Sequence, residues 1–232
     1  SDFGWQGNEG LPGVTGLDAQ AWLDGRRALL RLASEDISID SAGHVRERLR
    51  FNRLQGDIAL FLPSPAASPD VSDPRSKLAI RHLQLNNPDL ELALDLRLDL
   101  PANGSPLIDA QGHLKNVATE RVPAYLPVKV LEKDALTWLD LALADSKGFV
   151  PHAAIRLHGA LDKFPHFHDN SGQFSVQADF EHLNLNYAPL PAPGWPAAEN
   201  LYGQLSFINN GLSGVIQSGQ LKGVILDLSL IH

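Results

Sequence analysis

The run Leu90-Glu-Leu-Ala-Leu-Asp-Leu-Arg-Leu-Asp-Leu100 places leucine at every second position across eleven residues. As a strand rising about 3.3 Å per residue it spans roughly 33 Å, with Leu90, Leu92, Leu94, Leu96, Leu98 and Leu100 on one face. Glu91, Asp95, Arg97 and Asp99 occupy the other face. Wound as a helix, the same leucines would spread round the whole cylinder and leave the charges no face of their own. The run is therefore a strand with one apolar side. Such a side is either the inside of a packed core or the lining of a groove that holds something apolar; for an isolated strand the core is the commoner use.

The same alternation recurs along the chain and predicts strands over 17–23, 28–39, 47–62, 77–86, 90–100, 107–115, 153–161, 172–187, 200–208, 212–217 and 220–231. Asn103-Gly104 and Asn209-Asn210-Gly211 each sit between two alternating runs and read as antiparallel hairpins. Asn103-Gly-Ser105 also fits a glycosylation acceptor, but the turn accounts for it. The proline-rich stretches 63–74 and 188–196 hold no central strand, because proline gives no ladder donor. One helix is expected, near 130–144, with Pro127 before it and Gly148 as its stop. Leu131, Ala135, Trp138, Leu139 and Ala142 fall on one face of it, which would cap the end or edge of a sheet. The expected fold is all-β: a mainly antiparallel, elongated and curved sheet forming an apolar groove, with one short α-helix. Similar strands flank the proline-rich loop, so 1–232 reads as one continuous unit, with sub-boundaries conceivable at 63–74 or near 117–128. A faint echo between Leu17-Asp-Ala-Gln20 and Leu201-Tyr-Gly-Gln204 is weak support for a repeated unit.

Composition narrows the chemistry. The 232 residues contain no cysteine, so no disulfide, thiolate nucleophile or cysteine-bound metal is available. Methionine is also absent, even at position 1, and GVILDLSLIH still alternates when it stops. The first feature is expected of a mature product or an excised piece of a longer protein, and the second of a strand that is cut. A formal charge of −8 with no lysine and arginine cluster argues against nucleic acid and against electrostatic attraction to anionic headgroups. No segment approaches the roughly 18 consecutive apolar residues of a membrane span, so the chain is expected to be soluble.

Candidate chemistry is sparse. His166 and His168, with His152 and His158 upstream, form the cluster most like metal ligands, but proline and turn residues surround them and a third ligand is lacking. No metal is expected. Glu91, Asp95 and Asp99 share a face at intervals of about 13 Å, whereas a glycosidase pair sits about 5 to 9.5 Å apart. No nucleophile elbow, dinucleotide fingerprint or phosphate loop occurs, and neither a catalytic residue nor a cofactor is expected. Trp5, Trp22, Trp138 and Trp195 are scattered and read as core or edge plugs.

One succession of motifs is more specific: Val122-Pro-Ala-Tyr125-Leu-Pro127, a helix with Trp138-Leu-Asp140, Ile155-Arg-Leu-His-Gly159, Phe164-Pro165, Gly172-Gln-Phe174, Leu185-Asn-Tyr187-Ala-Pro189 and Gly194-Trp-Pro196. In order and spacing it resembles the YhdP branch of the AsmA-like superfamily of Gram-negative envelope proteins, most densely over 122–226. The resemblance implies an internal, periplasmic segment of a long chain anchored in the inner membrane by an N-terminal helix outside this segment. It also implies similarity to bridge-like lipid transfer proteins, in which a curved sheet with an apolar inside moves phospholipid toward the outer membrane. No catalytic residue is carried over.

The resulting expectation is a stretch of a lipid-transfer conduit whose partner is phospholipid. Its candidate lining is Leu90 to Leu100 on alternate positions, with Leu83, Leu85, Phe174, Val176, Leu183, Leu185, Leu226 and Leu228. Two other classes remain open: an envelope scaffold or adhesin-like β-solenoid whose leucine faces form a closed core, and an all-β enzyme. Alternation alone does not distinguish an open groove from a closed core.

Overall fold

The computed structural model describes residues 3–5, 13–63, 75–129, 131–164, 167, 171–186, 197–209, 211–221 and 224–227. The strands are β1 (Phe3–Trp5), β2 (Gly13–Leu17), β3 (Ala19–Asp24), β4 (Arg27–Asp40), β5 (Leu49–Phe61), β6 (Arg75–Asn86), β7 (Glu91–Pro101), β8 (Leu107–Ala118), β9 (Phe149–Ala160), β10 (Gln173–Leu185), β11 (Ala198–Ile208), β12 (Gly211–Leu221) and β13 (Val224–Asp227). Two helices, α1 (Val122–Tyr125) and α2 (Lys133–Leu143), interrupt the series between β8 and β9. All strands join one 13-stranded sheet in the order β1-β2-β4-β5-β6-β7-β8-β9-β10-β11-β12-β13, with β3 paired to β4. Every described pairing is antiparallel. From β4 onward each strand turns back beside its predecessor, so the sheet is an open, curved meander.

Curvature has a local cause. Asp36 on β4, His82 on β6, Asn116 on β8, His182 on β10 and Asn200 on β11 all take positive φ, between 50° and 54°. Aspartate, asparagine and histidine are the non-glycine residues that best tolerate this region. Register shifts accompany them between Ile80 and Leu83, between Phe180 and Leu183, and between Glu199 and Tyr202. These are β-bulges, which bend and twist a strand by setting two residues against one. Each also restores the apolar face after an odd spacing: Ile80 and Leu83 stand three apart yet pair with Leu96 and Leu94 of the same strand face.

The expected strand over 17–23 is instead split. β2 pairs with Ser38–Asp40 and β3 with Arg27–Leu32, so the two lie end to end along the long strand β4. At the break, the buried Ser34 hydroxyl accepts the Asp18 N–H at 2.8 Å and donates to the Asp18 carbonyl at 3.0 Å. That hydroxyl satisfies the Asp18 N–H, while the Asp18 carbonyl also accepts the Ala33 N–H at 3.1 Å.

The expected helix begins at Lys133 rather than 130, since Glu132 is still extended at ψ 147°. Ala142 is buried at 2% exposure, but Ala135 is exposed. The inward face therefore comes from the end of α2, where the Ala142 carbonyl accepts the Asn186 N–H at 3.3 Å. Gly148 lies beyond the helix rather than stopping it. Its φ is +147°, and a Cβ there would sit 2.7 Å from the His182 carbonyl oxygen, so glycine is required by the close passage of the β10 bulge. The proline-rich stretch 188–196, and all of 63–74 except Pro63, lie outside the described residues.

Candidate functional site

Residues directly opposite one another in a ladder share a face, so register decides which apolar side chains meet. One row crosses Leu30, Ile58, Ile80, Leu96, Ala110, Leu157 and Phe174 on seven successive strands. A second row on the same face, four residues along on β7 to β10, crosses Leu54, Leu85, Leu92, Leu114, Ala153, Ala178 and Leu205. Together they make an apolar band from β4 to β11, about 34 Å along the sheet at about 4.8 Å per strand. On the other face the register sets Glu91 opposite Lys115, Arg97 opposite Asp109 and Lys77 opposite Asp99, and this face is wet.

The band is closed at one end and open at the other. At the closed end Leu32, Ile37, Phe51, Leu54, Leu85, Leu90 and Val117 form a buried cluster, against which Val122 and Tyr125 of α1 pack. A polar clasp holds the helical segment there. Arg121 reaches Asp89 through Nε and Glu47 through Nη2, both at 3.1 Å, and the Tyr125 hydroxyl donates to Asp89 at 2.9 Å. Burial holds the Tyr125 phenol above its ordinary pKa, and the bond to Asp89 adds to this. Arg46 grips Asp140 of α2 through both terminal nitrogens. At the open end, Leu78, Ile80, Leu94, Leu96, Leu98 and Leu100 are only partly covered. The β3–β4 hairpin adds Leu23 to this face, 82% exposed, whereas Trp22, 49% exposed, stands in register with Arg97 on the opposite face.

The sequence candidates therefore divide. Leu85 and Leu90 belong to the buried cluster, and Leu83 and Leu92 pack against it. Leu183 lies in a second buried cluster with Phe180, Ala198 and Leu201, with Leu185 against it. Leu94, Leu96, Leu98, Leu100, Phe174 and Val176 remain partly exposed on the band. Leu226 stands opposite Gly219 in β13, while Leu228 lies outside the described residues. Phe174 meets Phe164 and Phe207 edge to face at 5.0 and 5.7 Å.

Of the histidine cluster, His166 and His168 lie outside the described residues; His152 and His158 are exposed on β9. Among the described residues no group of three or more metal-ligating side chains converges. Trp22 is no core plug: it stands on the edge strand β3, with the Arg31 guanidinium 5.8 Å from its ring. Trp138 is partly buried, whereas Trp195 lies outside the described residues and nothing is described of the Trp5 side chain.

The bulges were not read from the sequence, yet they carry a signal. Ser34-Glu-Asp-Ile37, Ile80-Arg-His-Leu83, Leu114-Lys-Asn-Val117, Phe180-Glu-His-Leu183 and Ala198-Glu-Asn-Leu201 share one form: a charged residue, then Asp, Asn or His, then an aliphatic residue resuming the face. Also missed was α1, whose four residues are too short to show a period.

The sequence model of the family described as "YhdP protein" matches residues 1–231. Among curated proteins, the chain is similar to the "Intermembrane phospholipid transporter YhdP" of Escherichia coli (strain K12), at 30% identity over 140 residues. That alignment covers 56% of this chain and 10% of the relative, so the chain spans a small part of the relative's length. No solved structure matches. None of the described helices is long and apolar enough to cross a membrane.

Proposed function

Because the chain belongs to the YhdP family, we propose that it forms one continuous stretch of a periplasmic lipid-transfer conduit, in which phospholipid acyl chains lie along the apolar band of the sheet. The observation that carries this reading is the register-matched band from β4 to β11, left partly uncovered at Leu94 to Leu100. A phospholipid that leaves a bilayer exposes its tails at about 0.8 kcal/mol per CH₂, so passage through water requires an apolar surface without gaps. A sheet supplies one cheaply in polar terms, because its backbone groups pair within the ladder and alternation keeps the far side wet. The curated relative's name, an intermembrane phospholipid transporter, supports the same substrate. In this reading the acyl path runs across the strands, the headgroup stays in water, and anchoring in the inner membrane is the task of a helix elsewhere in the protein. The segment itself supplies, in this reading, a surface for the acyl chains.

The closed-core alternative is favoured by one observation, the buried cluster around Ile37 and Leu90, and applies to that end. It does not account for the partly exposed leucines at the other end.

The test is lipid extraction and mass spectrometry of the intact protein. Stoichiometric phospholipid, reduced by Leu96→Asp, is the expected result; a protein that carries none under conditions where transfer occurs in cells contradicts the reading.

A further inference from the structure

A second site lies on the wet side of the sheet. Arg81, Arg97 and Arg156 border a cavity of about 510 Å³ together with Asp95 and Asp109. The β6 bulge places Arg81 and His82 next to each other at its wall, His82 having φ 52°. Both carboxylates are already engaged. Asp95 Oδ1 accepts the backbone N–H of His82 at 2.8 Å, closing the bulge. Asp109 Oδ1 lies 2.7 Å from Arg156 Nη2. This oxygen is shielded from solvent and receives no directed hydrogen bond, so the Arg156 contact is ionic and fixes that guanidinium in place. Among the described residues, the guanidinium groups of Arg81 and Arg97 make no hydrogen bond or ion pair. Two guanidinium groups without an ion pair thus share one concavity whose carboxylates, Asp95 and Asp109, are engaged with other partners.

We propose that this cavity is a phosphate site, in which Arg81 and Arg97 bind the oxyanion and Arg156, positioned by Asp109, adds charge behind it. Guanidinium forks match tetrahedral oxyanions by paired N–H···O contacts, and three guanidinium groups against two carboxylates leave the cavity positive overall. The charged groups of the site stand on the face opposite the apolar band, although Ile80 and Leu96 of that band also border the cavity. The ligand is a free phosphate or a phosphate headgroup of a membrane that meets the wet face. Because the cavity opens to solvent, binding is salt-sensitive.

Equilibrium dialysis of the intact protein against labelled inorganic phosphate at low ionic strength tests this. Saturable binding that weakens at least fivefold in both Arg81→Gln and Arg97→Gln is expected, while Arg26→Gln, at the distant β3–β4 turn, leaves it unchanged; melting temperatures confirm that each variant is folded. Linear, unsaturable uptake, or equal binding by all three variants, overturns the proposal. Sedimentation with phosphatidylglycerol and phosphatidylcholine vesicles then assigns the source. Vesicle binding lost in the two variants and competed by free phosphate identifies a headgroup, and its absence alongside saturable phosphate binding identifies a soluble ligand.

Discussion

Truncating one residue from each end of the apolar band separates a closed core from an open lining. Ile37 is 1% exposed and packs within the cluster of Leu32, Phe51 and Leu54. Replacing it by alanine removes buried methyl groups and leaves a cavity that the surrounding sheet cannot collapse, costing about 3 to 4 kcal/mol. Leu98 stands on the same face between Leu78 and Ile108 but is partly exposed and outside that cluster. Its replacement by alanine forfeits less buried area and leaves no enclosed void, so the cost is about 1 kcal/mol or less. At about 2 to 4 °C per kcal/mol for a chain of this size, Ile37→Ala lowers the melting temperature by roughly 6 to 16 °C and Leu98→Ala by no more than about 4 °C. Thermal unfolding followed by circular dichroism, with urea titration as a second measure, reads both variants. Equal losses would mean that something covers Leu98 as fully as the cluster covers Ile37, and the open-lining argument would be wrong.

Leu94→Asp and Leu96→Asp should slow phospholipid transfer between vesicles at least tenfold, because a carboxylate on the band draws in water. Asp95→Asn should keep its rate, since the asparagine Oδ1 still accepts the His82 N–H; equal impairment by all three would place no special role on the leucine face. Gly148→Ala should cost more than about 2 kcal/mol in chemical denaturation, as the new Cβ would press on the His182 and Glu181 carbonyls; an unchanged midpoint would show that the loop yields. The raised Tyr125 pKa means that the folded chain keeps this proton after the unfolded chain has lost it, so its contribution to stability is intact below about pH 10 and falls as pH rises beyond that. Tyr125→Phe should flatten the alkaline limb of the stability profile, and an identical limb would assign the loss to other groups.

Alternation made the strand class and the identity of the leucine face legible, as the pairing of Leu92, Leu94, Leu96 and Leu98 across β6 and β8 confirms. The hairpin at Asn103-Gly104 was legible because its turn chemistry is local. What alternation could not reveal was coverage: Leu90 and Leu98 look identical in sequence, yet only Leu90 meets the cluster that Val122 and Tyr125 complete from distant positions. The split of β2 from β3 was hidden for a similar reason, since it depends on the long-range bond between Ser34 and Asp18. The bulges were legible in principle, through the recurring charged-then-Asp, Asn or His pairs, but a strict period of two treats each as noise.

The central claim is that lipid tails touch the leucine face and not the charged one. Photo-crosslinking residues introduced separately at 96, 98 and 99 in the intact protein, within its own cell envelope, test that directly. Positions 96 and 98 are predicted to yield phospholipid adducts by mass spectrometry, while position 99, on the wet face opposite Lys77 and Leu107, yields none above background. Adducts at all three positions alike, or at none while transfer proceeds, would contradict a conduit running along this sheet.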